Sequence, residues 1–137
     1  MLEAISKLMN LSEDEILHHP HVLVNVFDQQ HKILFWNDQC ERYFGISKQE
    51  AVGKRMEDLF PAVENNKKMV YLHQALSGLP VYVPDDRFER KEGYYDQVLF
   101  PLKDDAGNVV AAVNIVIDIT NIKTHHSVKA FVDRLFQ

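Results

Sequence analysis

Residues 109–120 read Val-Val-Ala-Ala-Val-Asn-Ile-Val-Ile-Asp-Ile-Thr. The stretch is rich in β-branched residues, which fit a pleated surface better than a helix. Side chains alternate along a strand. Val109, Ala111, Val113, Ile115, Ile117 and Ile119 therefore share one face, and Val110, Ala112, Asn114 and Val116 share the other. Both faces are apolar, so something must cover each of them.

Working outward, Asp104-Asp105-Ala106-Gly107-Asn108 is a run of turn formers that makes Tyr94 to Leu102 the hairpin partner of that strand. Val81 to Phe88 is a third candidate, and Pro84 within it predicts an edge position or a bulge. Near the start, His21 to Asp28 and Lys32 to Trp36 form another hairpin around Asp28-Gln29-Gln30-His31. Between the two groups of strands lies a helical block. Asn37 caps a helix that runs to Phe44, with Gly45 at its C-terminal stop. Ser47 with Glu50 makes a capping box closed by Gly53. A longer helix, 63–76, places Val63, Met69, Val70, Leu72, His73 and Leu76 near one side and stops at Gly78 and Pro80. Leu2, Ile5, Leu8 and Met9 predict a helix at the start, and Ser12 with Glu15 a second one ending before Pro20. Val128, Phe131, Val132, Leu135 and Phe136 predict an amphipathic helix at the end. Strands grouped around a block of helices indicate an α+β fold: a five-stranded antiparallel sheet, short helices on one face, and a helix at either end.

Composition narrows the function. With 46% apolar and 26% charged residues in 137, the chain is an ordinary globular domain. A net charge of −5 argues against a nucleic-acid surface, which needs a concentrated positive face. Lys54-Arg55 and Lys67-Lys68 read as isolated, solvated pairs. There is no apolar run of membrane-spanning length, and Met1-Leu2-Glu3 lacks the basic start of a signal peptide. With the lone Cys40, these features give a cytoplasmic protein as the expectation, with Cys40 a small buried residue. No nucleophile elbow, phosphate loop or metal-ligand spacing is present, so no catalytic and no metal-ligating residues are expected. Asp85-Asp86 and Asp104-Asp105 read as turn formers. His18-His19-Pro20-His21 and His125-His126 read as surface histidines rather than chelates.

The order of these pieces resembles the PAS superfamily over residues 21–121. The resemblance rests on Trp36-Asn37 entering a helix that ends at Phe44-Gly45, on Ser47-Lys48-Gln49-Glu50-Ala51-Val52-Gly53-Lys54, and on Asp58-Leu59-Phe60-Pro61. It continues through Ala75-Leu76-Ser77-Gly78 and Pro101-Leu102 to Asp118-Ile119-Thr120. It implies three parts: flanking helices over 1–20, a sensory domain over 21–121, and a signalling or dimerisation helix over 122–137. It also argues against two cofactors. Met56 stands where flavin-binding light sensors of the superfamily carry a reactive cysteine. Counting back from Gly78, the axial histidine of haem-binding members falls near Asn66-Lys67, not at His73.

In PAS domains the pocket lies between the sheet and the helices. Aligning Asp28 and Gly107 with the family turns inward Leu23, Asn25 and Phe27, then Tyr95, Gln97 and Leu99, then Val110, Ala112, Asn114 and Val116. The candidate ligand-binding set is Asn25, Phe27, Met56, Met69, His73, Tyr95, Gln97, Asn114 and Val116. Amides among apolar neighbours need partners, and a small organic ligand would supply them; bonds among themselves would do so equally. Arg87 is read as an edge charge. The opposite face of the last strand predicts a homodimer through Leu2, Ile5, Met9, Val113, Ile115, Ile117, Val128, Phe131 and Leu135. The expected function is a sensor that signals to an output domain or partner of the histidine kinase or cyclase type, as in a two-component system. The alternative is a ligand-free interaction module filled by Trp36, Phe44, Met56 and Met69, with a haem gas sensor behind it.

Overall fold

The computed structural model describes residues 2–19, 21–61, 67–86 and 95–118, without the side chains of Leu8, Lys67, Asp85, Asp86 and Asp118. Two helices lead: α1 (Leu2–Met9) and α2 (Glu13–His18). Ser12 accepts from the Glu15 amide while the Glu15 side chain takes the Ser12 amide, so the predicted capping box forms in full. The first hairpin follows as β1 (Val22–Asp28) and β2 (Ile33–Trp36). Then come α3 (Asp38–Phe44), α4 (Lys48–Ala51), α5 (Met56–Leu59) and α6 (Lys67–Leu76), and finally β3 (Val81–Asp86), β4 (Tyr95–Lys103) and β5 (Val109–Asp118).

The strands form one antiparallel sheet in the order β2-β1-β5-β4-β3. β5 is thus the central strand, which explains its apolar character on both sides. Pro84 lies at an edge, as expected, where the β3–β4 register shifts between Val83 and Asp86. The other edge is stitched to the helical block: the Gly53 amide donates to the Ile33 carbonyl, and the Ile33 amide to the Lys54 carbonyl. Covering an edge in this way removes a site for unwanted strand pairing.

Two cores sit on the two faces. The inner one packs α3 to α6 on the sheet through Trp36, Cys40, Ala51, Met69, Leu72, Ala75 and Leu76, against Leu23, Phe27, Leu99, Ala112 and Val116. The outer one seals Val22, Val24, Val26, Val98, Phe100, Ala111, Val113, Ile115 and Ile117 beneath Ile5 of α1 and Ile16 of α2. Alternation holds along β1, β4 and most of β5 and fails at its start. The β4–β5 register shifts between Leu102 and Lys103, leaving Val110, expected inside, 47% exposed. Val109, expected outside, instead comes within 3.7 Å of where a Cβ on Gly78 would lie.

Asn37 joins the layers. It is fully buried and uses its whole hydrogen-bonding capacity. Its Oδ1 accepts from the amides of Val24 and Cys40, both at 3.1 Å. Its Nδ2 donates to the carbonyls of Ile16 (2.9 Å) and Val22 (2.8 Å). One side chain thereby caps α3 and ties α2, β1 and α3 together. Gly45 ends α3 at φ +68°, a left-handed conformation that costs glycine nothing. The end helix expected over 122–137 lies outside the described residues.

Candidate functional site

The inner face of the sheet carries a line of polar side chains. Lys68 Nζ on α6 donates to Gln97 Oε1, Gln97 Nε2 to Asn114 Oδ1, and Asn114 Nδ2 to Asn25 Oδ1, each at 2.9 Å. The line follows from the register. Asn25 and Asn114 are directly opposed across β1 and β5, and Gln97 is diagonal to Asn114 because Leu99 is its direct partner. Asn25 and Gln97 are buried. Each amide oxygen is matched by a donor, which matters because an unpaired buried polar group costs about 1–3 kcal/mol.

Aromatic and apolar groups wall the line in. Phe27, Met69 and Val116 are buried in the inner core, and Met56 and Tyr95 pack against it half-buried. Phe44 bridges Trp36 and Phe60, with ring centroids 5.1 and 5.2 Å apart. At the end nearest Asn25 lies Cys40. Its Sγ–H donates to the Val24 carbonyl at 3.2 Å, and burial pushes its thiol pKa up to about 12. The thiol thus stays protonated and unreactive at neutral pH.

Of the nine candidate pocket residues, eight converge on this face and His73 does not. Met69, Leu72, Ala75 and Leu76 form the buried side of α6, while His73 and Val70, which the helical spacing had placed with them, are exposed. His73 faces the β1–β2 turn, with its Nε2 3.2 Å from His31 Nε2. Nor is Lys68 the solvated charge expected from the Lys67-Lys68 pair: it is half-buried and reaches Gln97. The signal was present, since Lys68 stands four and seven residues before Leu72 and Ala75 and shares their face. His31, a turn residue with no motif to mark it in the sequence, joins this end of the helical block: its Nδ1 meets Glu57 Oε1 at 2.9 Å. Arg87, Val128, Phe131 and Leu135 lie outside the described residues.

Of the remaining interface candidates, Ile5, Val113, Ile115 and Ile117 are buried within the chain's own outer core, with Leu2 and Met9 half-buried against it. That face also holds a buried carboxylate, Asp96, which accepts from the Tyr82 hydroxyl at 3.3 Å. Among the described residues no helix is long and apolar enough to cross a membrane.

The family model for the PAS fold matches residues 17–124. The chain belongs to the PAS family. Solved structures superpose on it at low identity, two of them PAS domains. That of Bordetella pertussis BvgS is 21% identical with a TM-score of 0.64, covering 94% of this chain and 96% of its own. The PAS domain of histidine kinase ThkA is 23% identical with a TM-score of 0.58, covering 72% and 98%. A sensory box sensor histidine kinase from Vibrio cholerae is 18% identical with a TM-score of 0.60, covering 85% and 94%. No curated protein matches the sequence. In this PAS domain, then, the polar line occupies the space between sheet and helices where the family resemblance places a pocket.

Proposed function

We propose that this PAS domain is a cytoplasmic sensory module that takes a small organic molecule between its sheet and α6. On this proposal it works as a homodimer and passes occupancy through its flanking segments to an output domain or partner of histidine kinase or cyclase type. The observation that carries the proposal is the line from Lys68 to Asn25 inside an aromatic wall. An ammonium and three amides are joined there in series, each link 2.9 Å, among apolar surroundings, a pattern suited to a small ligand bearing carbonyl or carboxylate oxygens. Such a ligand would replace Gln97 as the partner of Lys68 and so change how α6 sits on the sheet. A ligand shifts an equilibrium only through different affinity for its two states, and exchanging these bonds supplies that difference. The histidine kinases among the structural neighbours support the choice of output. The module acts by binding, without catalysis. Because α1 and α2 already cover Val113, Ile115 and Ile117, the dimer would meet through the outward sides of the flanking helices.

One observation favours a second reading, a ligand-free interaction module: the amides already satisfy one another. A native mass spectrum beside a denatured one separates the two. Extra mass that departs on denaturation, and is lost from K68A, supports the sensor. A mass-pure apo dimer that metabolite mixtures leave unchanged in melting temperature overturns it in favour of the interaction module.

A further inference from the structure

At the opposite end of α6 from Lys68, two imidazoles from separate elements meet edge to edge. His31 lies in the β1–β2 turn and His73 on the exposed side of α6, with Nε2 atoms 3.2 Å apart and ring centroids at 5.0 Å. His31 is held from behind. Its Nδ1 lies 2.9 Å from Glu57 Oε1, and Arg55 secures the other carboxylate oxygen at 2.8 Å. Its carbonyl accepts from the Met56 amide, and its backbone takes the left-handed conformation, φ +66°, that a non-glycine residue rarely adopts.

The chemistry follows from the tautomer. A carboxylate can only accept, so His31 carries a proton on Nδ1, and the neutral ring then presents its Nε2 lone pair toward His73. A carboxylate on the far nitrogen is the usual support of a metal-bound histidine, fixing tautomer and ring direction together. Two nitrogens each about 2.05 Å from a tetrahedral ion stand about 3.3–3.4 Å apart, close to the spacing observed. We propose that His31 and His73 form a two-histidine site for a borderline divalent transition cation, with Zn²⁺ the representative ion. In the metal-free chain, a proton on His73 Nε2 fills the gap as a hydrogen bond; the cation takes its place when that proton moves to His73 Nδ1. Among the described residues no cluster of three or more His, Cys, Asp or Glu side chains suits a metal, so they offer the ion these two imidazoles, with water able to take the open positions. Imidazole pairs suit Zn²⁺, Ni²⁺ and Cu²⁺ over Mg²⁺ or Ca²⁺, which prefer oxygen. The ion would clasp the turn to α6, the helix over the inner face. The proposal does not depend on a ligand there.

The test is Zn²⁺ competition against a chromogenic chelator, using the full chain stripped with EDTA. The wild type is expected to take up one Zn²⁺ at this site. H73Q and H31N, the latter chosen because asparagine tolerates the left-handed turn, are each expected to lose roughly tenfold or more in affinity. H18Q/H19Q/H21Q/H125Q/H126Q, which removes the other histidines, is expected to keep the binding. Unchanged affinity in H31N or H73Q, or loss of binding only in the five-substitution variant, overturns the site. Should a variant fail to fold, ring-nitrogen resonances of the wild type decide. Zn²⁺ must shift Nε2 of both His31 and His73, and shifts confined to other histidines overturn the proposal.

Discussion

The two faces of this sheet are built from the same strands and differ in what they bury. The outer face of the central strand, Ala111, Val113, Ile115 and Ile117, is aliphatic and closed by Ile5 and Ile16. The inner face interrupts its core with Asn25, Gln97 and Asn114, linked by hydrogen bonds and ending on Lys68. Dispersion and burial need no particular partner, so this aliphatic stretch contributes stability without specificity, the polar pair Asp96–Tyr82 of that face lying toward the β3 edge. Hydrogen-bonded amides contribute little net stability, yet they fix which groups face which. The contrast indicates that the outer layer holds the domain together while the inner layer is kept for recognition.

Truncation on the outer face tests that division most severely. I115A leaves a cavity under α1 and α2 and is expected to cost about 3–4 kcal/mol in a denaturant titration. A cost under about 1 kcal/mol would mean that the helices do not seal this face. On the inner face, N114A strands Gln97 Nε2 and Asn25 Oδ1 and is expected to cost about 2 kcal/mol. The triple replacement N25L/Q97M/N114L removes every amide at similar volume and is expected to restore stability to within about 1 kcal/mol of wild type, or beyond it. That reversal, with ligand uptake abolished, would mark the inner line as functional. A triple variant less stable than N114A would mark it as structural.

How much of this was legible beforehand depended on whether the pattern was local. The capping residues Ser12 and Asn37 and the stop at Gly45 act within four residues of themselves, and they fell where the sequence put them. Strand parity was legible too, because alternation is a local rule, until the shift beside Lys103 displaced Val109 and Val110. A bulge depends on the partner strand, which composition does not reveal. The inner amides were nameable from parity once the family resemblance had said which face turns inward. That they would bond in series to Lys68, 29 positions from Gln97, required the packing of α6 over β4. The His31–His73 meeting spans 42 positions and left no periodic trace. Asn37 is the instructive mixture: its cap was readable, but its bonds to Ile16 and Val22 were not, since they belong to the docking of α2 and β1 against α3.

The smallest expected effect concerns the link by which the outer cover joins the sheet. His19 follows α2, and its Nδ1 accepts from the His21 amide at 3.1 Å. Burial, and then the neighbouring His21, hold its pKa below the ordinary histidine value. The sign follows from proton counting. With the folded pKa depressed, the unfolded chain binds more protons near and below pH 6.5, so stability rises with pH across that range and falls on acidification. The geometry gives the same direction, because an imidazolium donates from both nitrogens and cannot accept the His21 amide. Thermal melts from pH 7.5 down to 5 are therefore expected to drop more steeply for wild type than for H19Q, by less than either substitution above. The inner line contains only amides and one ammonium, so the N25L/Q97M/N114L variant should keep the wild-type slope. An equal slope in H19Q would remove the titrating link from the outer cover. A flattened slope in the triple variant would move the pH sensitivity to the inner face, reversing the division of labour drawn between the two.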